Sequence, residues 1–140
     1  MKHIQGFIAS DHRGFFLKDY LKRKHPLIDL GTFDDVKLVD EVDYADKLVK
    51  FVKKEKSLGI LICGSGHGMT IAANRHKGIR ACLCRTEIDA QWARFHTNAN
   101  ILVLAGEFTK GTQAEKIVKK FFSTKFSGLE RYKRRIQKMG

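Results

Sequence analysis

The chain has 140 residues, 43% apolar and 30% charged, a size and balance that lead us to expect one domain, spanning 1–140, with a real core. No stretch approaches eighteen apolar residues, which argues against a spanning helix. The formal charge of +12 draws polyanions and small phosphorylated molecules alike, and three cysteines without secreted-protein spacing suggest reduced thiols and a cytoplasmic setting.

Residues 3–9 contain an apolar run that stops at Ser10-Asp11-His12-Arg13-Gly14, too short for a secretory core. A helix is expected over 15–24, where Phe16, Leu17, Tyr20 and Leu21 recur at helical spacing, and Pro26 blocks its continuation. Residues 27–30 read as a short strand. The acidic stretch 32–43 reads as a loop, followed by a helix over 44–54. Residues 58–62 (Leu-Gly-Ile-Leu-Ile) are nearly all apolar, as in a central parallel strand covered on both faces. They run into Cys63-Gly64-Ser65-Gly66-His67-Gly68, and a helix resumes over 69–75. Strands over 79–84 and 100–105, helices over 87–95 and 113–122, and a basic terminal helix over about 129–139 complete the chain.

Strand then helix, five times, implies a five-stranded parallel sheet with helices on both faces, an α/β sandwich. Ligands of such sheets bind beyond the carboxyl ends of the strands, near a switch in strand order. Asp11-His12, the 63–68 loop and Thr86 fall at that edge; the polar groups before Asn100, His96 and Thr97 among them, come near it only if the preceding helix packs suitably.

The glycine loop is the strongest local signal. Glycines at 64, 66 and 68 remove bulk from a strand-to-helix turn, so main-chain N–H groups can face an anion. The spacing is neither the dinucleotide fingerprint nor a P-loop, and no cofactor is expected. Cys82-Leu83-Cys84 lacks further ligands, and no metal is expected. Cys63 at the strand end reads either as a small buried hydrophobe or as a reachable thiol whose ionised fraction a helix terminus would raise. Asp11 reads as a helix cap or an acid. His96 reads as a residue favoured at a helix C-terminus or as a proton donor. Arg131 and Arg135, four apart, share a helical face suited to phosphate oxygens.

Ser10-Asp11-His12-Arg13-Gly14, Asp43-Tyr44, the run from Gly59 to Arg75, Gly78-Ile79-Arg80-Ala81, His96 with Asn100, and the basic tail together resemble the type B ribose-5-phosphate isomerases. That family includes the galactose-6-phosphate isomerase subunits. The resemblance implies a Rossmann-like three-layer sandwich, and homodimers or homotetramers whose active sites are shared between subunits. It also implies metal-free interconversion of an aldose phosphate and a ketose phosphate through a cis-enediolate. By that resemblance Cys63 is the base, Ser65 and the amides of Gly64, Gly66 and Gly68 hold the enediolate, and His96 opens the sugar ring with Asp11 close by. His12, Arg131 and Arg135 hold the phosphate, Tyr44 lines the pocket, and His67 and Thr97 complete the substrate contacts.

Some relatives carry a glutamate where this chain has Met69, which cannot take a proton and so leaves the work to Cys63. Thr97 stands where Asn is common, Glu107 where an arginine of the phosphate region is common, and Tyr132 where His is frequent. The expected substrate is ribose-5-phosphate. The alternatives are a hexose-6-phosphate of allose or galactose type, or a non-catalytic binder of RNA or a phosphometabolite. No aromatic RNA-binding strand favours RNA.

Overall fold

The computed structural model describes residues 5–140. Strands β1 (Phe7–Ser10), β2 (Ile28–Asp29), β3 (Gly59–Cys63), β4 (Ala81–Leu83) and β5 (Ile101–Ala105) alternate with helices α1 (Phe15–Lys24), α2 (Glu41–Glu55), α3 (His67–Asn74), α4 (Glu87–Thr97) and α5 (Gly111–Ser123), and α6 (Glu130–Met139) ends the chain. The strands form one parallel sheet in the order β2-β1-β3-β5-β4. This is the expected α/β sandwich. Of the first expected strand, 3–9, residues 3 and 4 lie outside the described residues.

Alternate strand residues point to opposite layers. Phe7, Ala9, Leu61, Cys63, Ile101 and Val103 meet α2 and α3 through Leu48, Val49, Val52, Met69 and Ala73. Ile8, Ile60, Ile62, Leu102 and Leu104 meet α1, α4 and α5 through Leu21, Ala90, Ile117, Val118 and Phe121. The middle strands β3 and β5 are buried at every position, which is why they read as unbroken apolar runs.

Several boundaries differ from the sequence reading, and three of the differences have a clear local reason. The acidic end of the 32–43 stretch is the first turn of α2: Glu41 and Asp43 sit at the positive end of its dipole. β3 runs one residue further, because Cys63 pairs with Ala105; the cysteine belongs to the strand and the loop begins at Gly64. α4 continues to Thr97, where Asn98 takes the left-handed conformation (φ 48°) that closes it.

One buried ion pair ties α1 to the carboxyl end of β2. The Lys18 side chain is 1% exposed and donates to both Asp29 carboxylate oxygens at 2.7 Å. Asp29 also accepts from Lys22 at 3.0 Å and from the Gly31 N–H at 2.9 Å. Burial pushes the Asp29 carboxyl up, but the bonds from Lys18, Gly31 and Lys22 outweigh it and hold it below its ordinary value. Burial also pushes the Lys18 ammonium down, so much of the attraction offsets desolvation. Losing one partner is therefore worse than the net worth of the pair. Asp29→Asn is expected to destabilise the fold by about 3–5 kcal/mol at neutral pH, measured by urea unfolding. Because the folded carboxyl is the stronger acid, the wild-type advantage is present above pH about 4 and fades as acid protonates Asp29 below it.

Candidate active site

β1 and β3 lie side by side, yet the chain leaves β1 through α1 on one layer and leaves β3 through α3 on the other. The carboxyl edge at such a divergence is where sheets of this kind hold ligands, and the first cluster of expected residues lies there. Asp11 follows β1; its N–H donates to the Ile62 carbonyl at 3.2 Å. Its carboxylate accepts from Arg13 N at 2.9 Å and Gly14 N at 3.1 Å, so it caps the turn His12–Gly14. Burial pushes the Asp11 carboxyl up despite those two bonds. His12 Nδ1 accepts from Val39 N at 3.2 Å, which leaves Nε2 as the ring nitrogen that can meet a ligand.

The start of the glycine loop is pinned to the segment that follows β5. Gly106 N donates to the Cys63 carbonyl at 2.7 Å, and Glu107 N to the Gly64 carbonyl at 3.0 Å. Gly66 adopts φ 85°, and a Cβ there would fall 2.5 Å from Leu83 Cδ1; both conditions demand glycine. Ser65 Oγ accepts from His67 N at 3.3 Å, leaving its O–H free to donate. His67 itself is exposed on the first turn of α3, and Gly68 faces α2. Tyr44 packs against the α2–α3 core and against Gly31.

The sulfur of Cys63 faces the backbone N–H groups of Gly66 and Met69. They favour its ionised form, as the sequence reading anticipated of a helix terminus. The net result is the opposite. Burial pushes the thiol up and outweighs both donors, and the carboxylates of Asp11 and Glu41 add to the rise. Cys63 is 4% exposed in the single chain, and open clefts of about 570 and 630 Å³ lie at the opposite, amino edge of the sheet, neither lined by the Cys63 loop.

Two neighbours of this cluster escaped the sequence reading. Glu41 reaches Gly68 from the first turn of α2: a Cβ on that glycine would lie 2.7 Å from Glu41 Oε1. Reading 32–43 as a loop hid it; the helical spacing of Glu41 and Tyr44 was the available signal. Arg13 lies across Gly64 and donates from Nε to Glu107 Oε1 at 3.1 Å. Glu107 therefore points at a cation.

The second cluster lies elsewhere in the chain. α4 runs back against the strands and ends at their amino edge, on the layer opposite α2 and α3. His96 thus does not lie close to Asp11 within one chain. Ile101 and Ala105, the ends of β5, already span about 13 Å at the usual strand rise. What His96 does meet is aromatic: Trp92, Phe95 and Tyr132, with ring centroids 5.6, 5.4 and 5.1 Å away. Tyr132 brings α6 with it, and the guanidinium groups of Arg131 and Arg135 stand 4.8 and 5.5 Å from its ring centre. The Thr97 hydroxyl donates to the Ala93 carbonyl, and Asn98 Oδ1 accepts from Arg94. The cast is divided into Asp11, His12, Tyr44 and the 63–68 loop at one end, and His96, Arg131 and Arg135 at the other.

Among the described residues, no three His, Cys, Asp or Glu side chains cluster to hold a metal, and no helix is long and apolar enough to cross a membrane.

Known proteins share both the sequence and the shape. The model of the Ribose/Galactose Isomerase family matches residues 7–139. The crystal structure of a ribose 5-phosphate isomerase from Thermotoga maritima superposes with a TM-score of 0.92 at 44% identity, covering 99% of this chain and 98% of that one. Ribose-5-phosphate isomerase B from Mycoplasma genitalium, solved with bound ribulose-5-phosphate, gives 0.86 at 41% identity, covering 96% and 93%. The galactose-6-phosphate isomerase subunit LacB of Clostridium acetobutylicum is 35% identical over 79% of this chain and 64% of its own length. With the glycine loop, the Asp11-His12 turn and the β2-β1-β3-β5-β4 sheet in place, the chain belongs to the Ribose/Galactose Isomerase family.

Proposed function

We propose that this chain interconverts ribose-5-phosphate and ribulose-5-phosphate, with the Cys63 thiolate as the base. The thiolate takes the C2 proton of the open aldose; the C–H electron pair becomes the C1–C2 double bond, and the carbonyl oxygen O1 takes the negative charge. The O2 proton passes to O1, the thiol returns its proton to C1, and the ketose results. Donors near the charged oxygens lower the barrier, a part assigned to the Ser65 hydroxyl and the N–H groups of Gly64, Gly66 and Gly68. The remote phosphate orients the sugar. No electron sink or metal is needed for this sequence of steps. The observation that carries the reading is Cys63 at the carboxyl end of β3, next to β1 where the chain direction across the sheet switches, near the main-chain N–H groups of Met69 and Gly66, in a chain of this family.

The division of the cast supports shared sites in a homodimer or homotetramer. His96, as ring-opening acid, and Arg131 and Arg135, as phosphate ligands, then serve the Cys63 of a partner. Ile88, Trp92 and Phe95 line the α4 face beside His96 and are 60, 61 and 41% exposed, an apolar stripe of the kind that subunit contacts cover. Sugar entry also needs displacement of groups that cover Cys63 in the single chain. The same chemistry serves a hexose-6-phosphate, favoured by the likeness to the galactose-6-phosphate isomerase subunit. A panel of pentose and hexose phosphates decides: fastest turnover is expected for ribose-5-phosphate, and no turnover of any aldose phosphate overturns the reading. Arg131→Ala and Arg135→Ala are each expected to raise KM about tenfold with kcat little changed; unchanged KM in both removes α6 from the site.

A further inference from the structure

Arg13 is a cation at the loop of Cys63 for which the steps above have no use. Its backbone is held firmly: its N–H donates to Asp11 Oδ1 at 2.9 Å, and its carbonyl lies where a Cβ on Gly106 would come within 2.9 Å. Its guanidinium rests on Gly64, where a Cβ would fall 2.6 Å from Cζ and 2.8 Å from Nε and Nη1. Gly64 must therefore lack a side chain for Arg13 to lie there. Only Nε is engaged, with Glu107 Oε1 at 3.1 Å. Among the described residues, both Nη groups, the end of the fork, have no hydrogen-bond partner. Glu107 is itself tied to the loop, since its N–H donates to the Gly64 carbonyl at 3.0 Å.

Both side chains are about half exposed, 56% for Arg13 and 44% for Glu107, so the pair is weak in water. A phosphate dianion carries more charge than a carboxylate and accepts from a guanidinium fork through two oxygens. The geometry also suits a molecule with a charged end and a reacting end. Cys63 points to the α2–α3 layer, while Arg13 approaches the next residue, Gly64, from the α1 side.

We propose, building on the isomerase reading, that Arg13 binds the phosphate of the sugar phosphate and that Glu107 is its internal counter-ion, released when phosphate arrives. Arg13 acts on the same chain as Cys63, which separates it from the α6 arginines. The acid at 107 then holds the guanidinium at the loop in the free enzyme and weakens phosphate binding by competing for it.

The test is calorimetric titration of inorganic phosphate into the full-length assembled protein, with ribose-5-phosphate turnover measured alongside. Arg13→Gln is expected to weaken phosphate binding, and to raise KM, by about tenfold. Glu107→Gln is expected to tighten phosphate binding by about threefold, because the competitor is gone. Arg13→Lys, which keeps charge without a fork, is expected to fall between wild type and Arg13→Gln. Affinity for Arg13→Gln within about twofold of wild type, or weaker binding in Glu107→Gln, overturns the proposal. Glu107→Gln alone decides if Arg13→Gln does not fold, as circular dichroism would show. Phosphate binding that depends on Arg13 in a protein that turns over no aldose phosphate sinks the isomerase reading and leaves this one standing. Turnover with unchanged KM in Arg13→Gln does the reverse.

Discussion

Cys63→Ser is expected to lower ribose-5-phosphate turnover by about 10²–10⁴-fold with thermal unfolding close to wild type. The substitution is nearly isosteric, and Cys63 sits at the last paired position of β3, where a hydroxyl still has the Gly66 and Met69 N–H groups as donors. What is lost is acidity: an alcohol ionises far less readily than a thiol, and Met69 supplies no replacement base. Exchange of the C2 proton with solvent deuterium reads the step directly, and exchange at the wild-type rate in the variant rules Cys63 out. The wild-type enzyme carries a second signature. Burial and the carboxylates of Asp11 and Glu41 push the thiol up. The ionised form is the active one, so kcat/KM should still be rising with pH where an ordinary thiol has finished titrating.

Mixing two dead variants is expected to restore activity. Cys63→Ser removes the base from one cluster, and His96→Ala removes the acid from the other. If each site draws its clusters from two subunits, a mixed dimer holds one site with both lesions and one with neither. Statistical exchange makes half of the dimers mixed, so about a quarter of wild-type turnover returns. If both clusters served the same chain, every site in the mixture would stay damaged. Mass spectrometry can establish that exchange has occurred. Activity no higher than the sum of the separate variants would then reject the shared site.

Much of the fold was legible in residues 7–105 because central parallel strands are covered on both faces. Such strands must be apolar throughout, and the breaks between them must carry glycine, as at Gly64 and Gly106. The Asp11-His12 turn and the glycine loop were legible for a related reason: each follows a strand at the edge where this topology puts ligands. Glu41 was not, because an acidic stretch reads equally as a solvated loop and as the favoured first turn of a helix. Arg13 and Glu107 were not, because their pairing joins residues 94 apart in the chain.

From its residues alone the chain determined its layers, its strands and the glycine loop that follows Cys63, since apolar periodicity and the steric freedom of glycine are properties of neighbours in sequence. Only the tertiary structure decided that the Cys63 thiol is pushed up, and that His96 with the α6 arginines stands at the far edge on the opposite layer. Both depend on which helix packs on which face, and hence on distances through space, which set desolvation and Coulomb energy and which no spacing along the chain encodes.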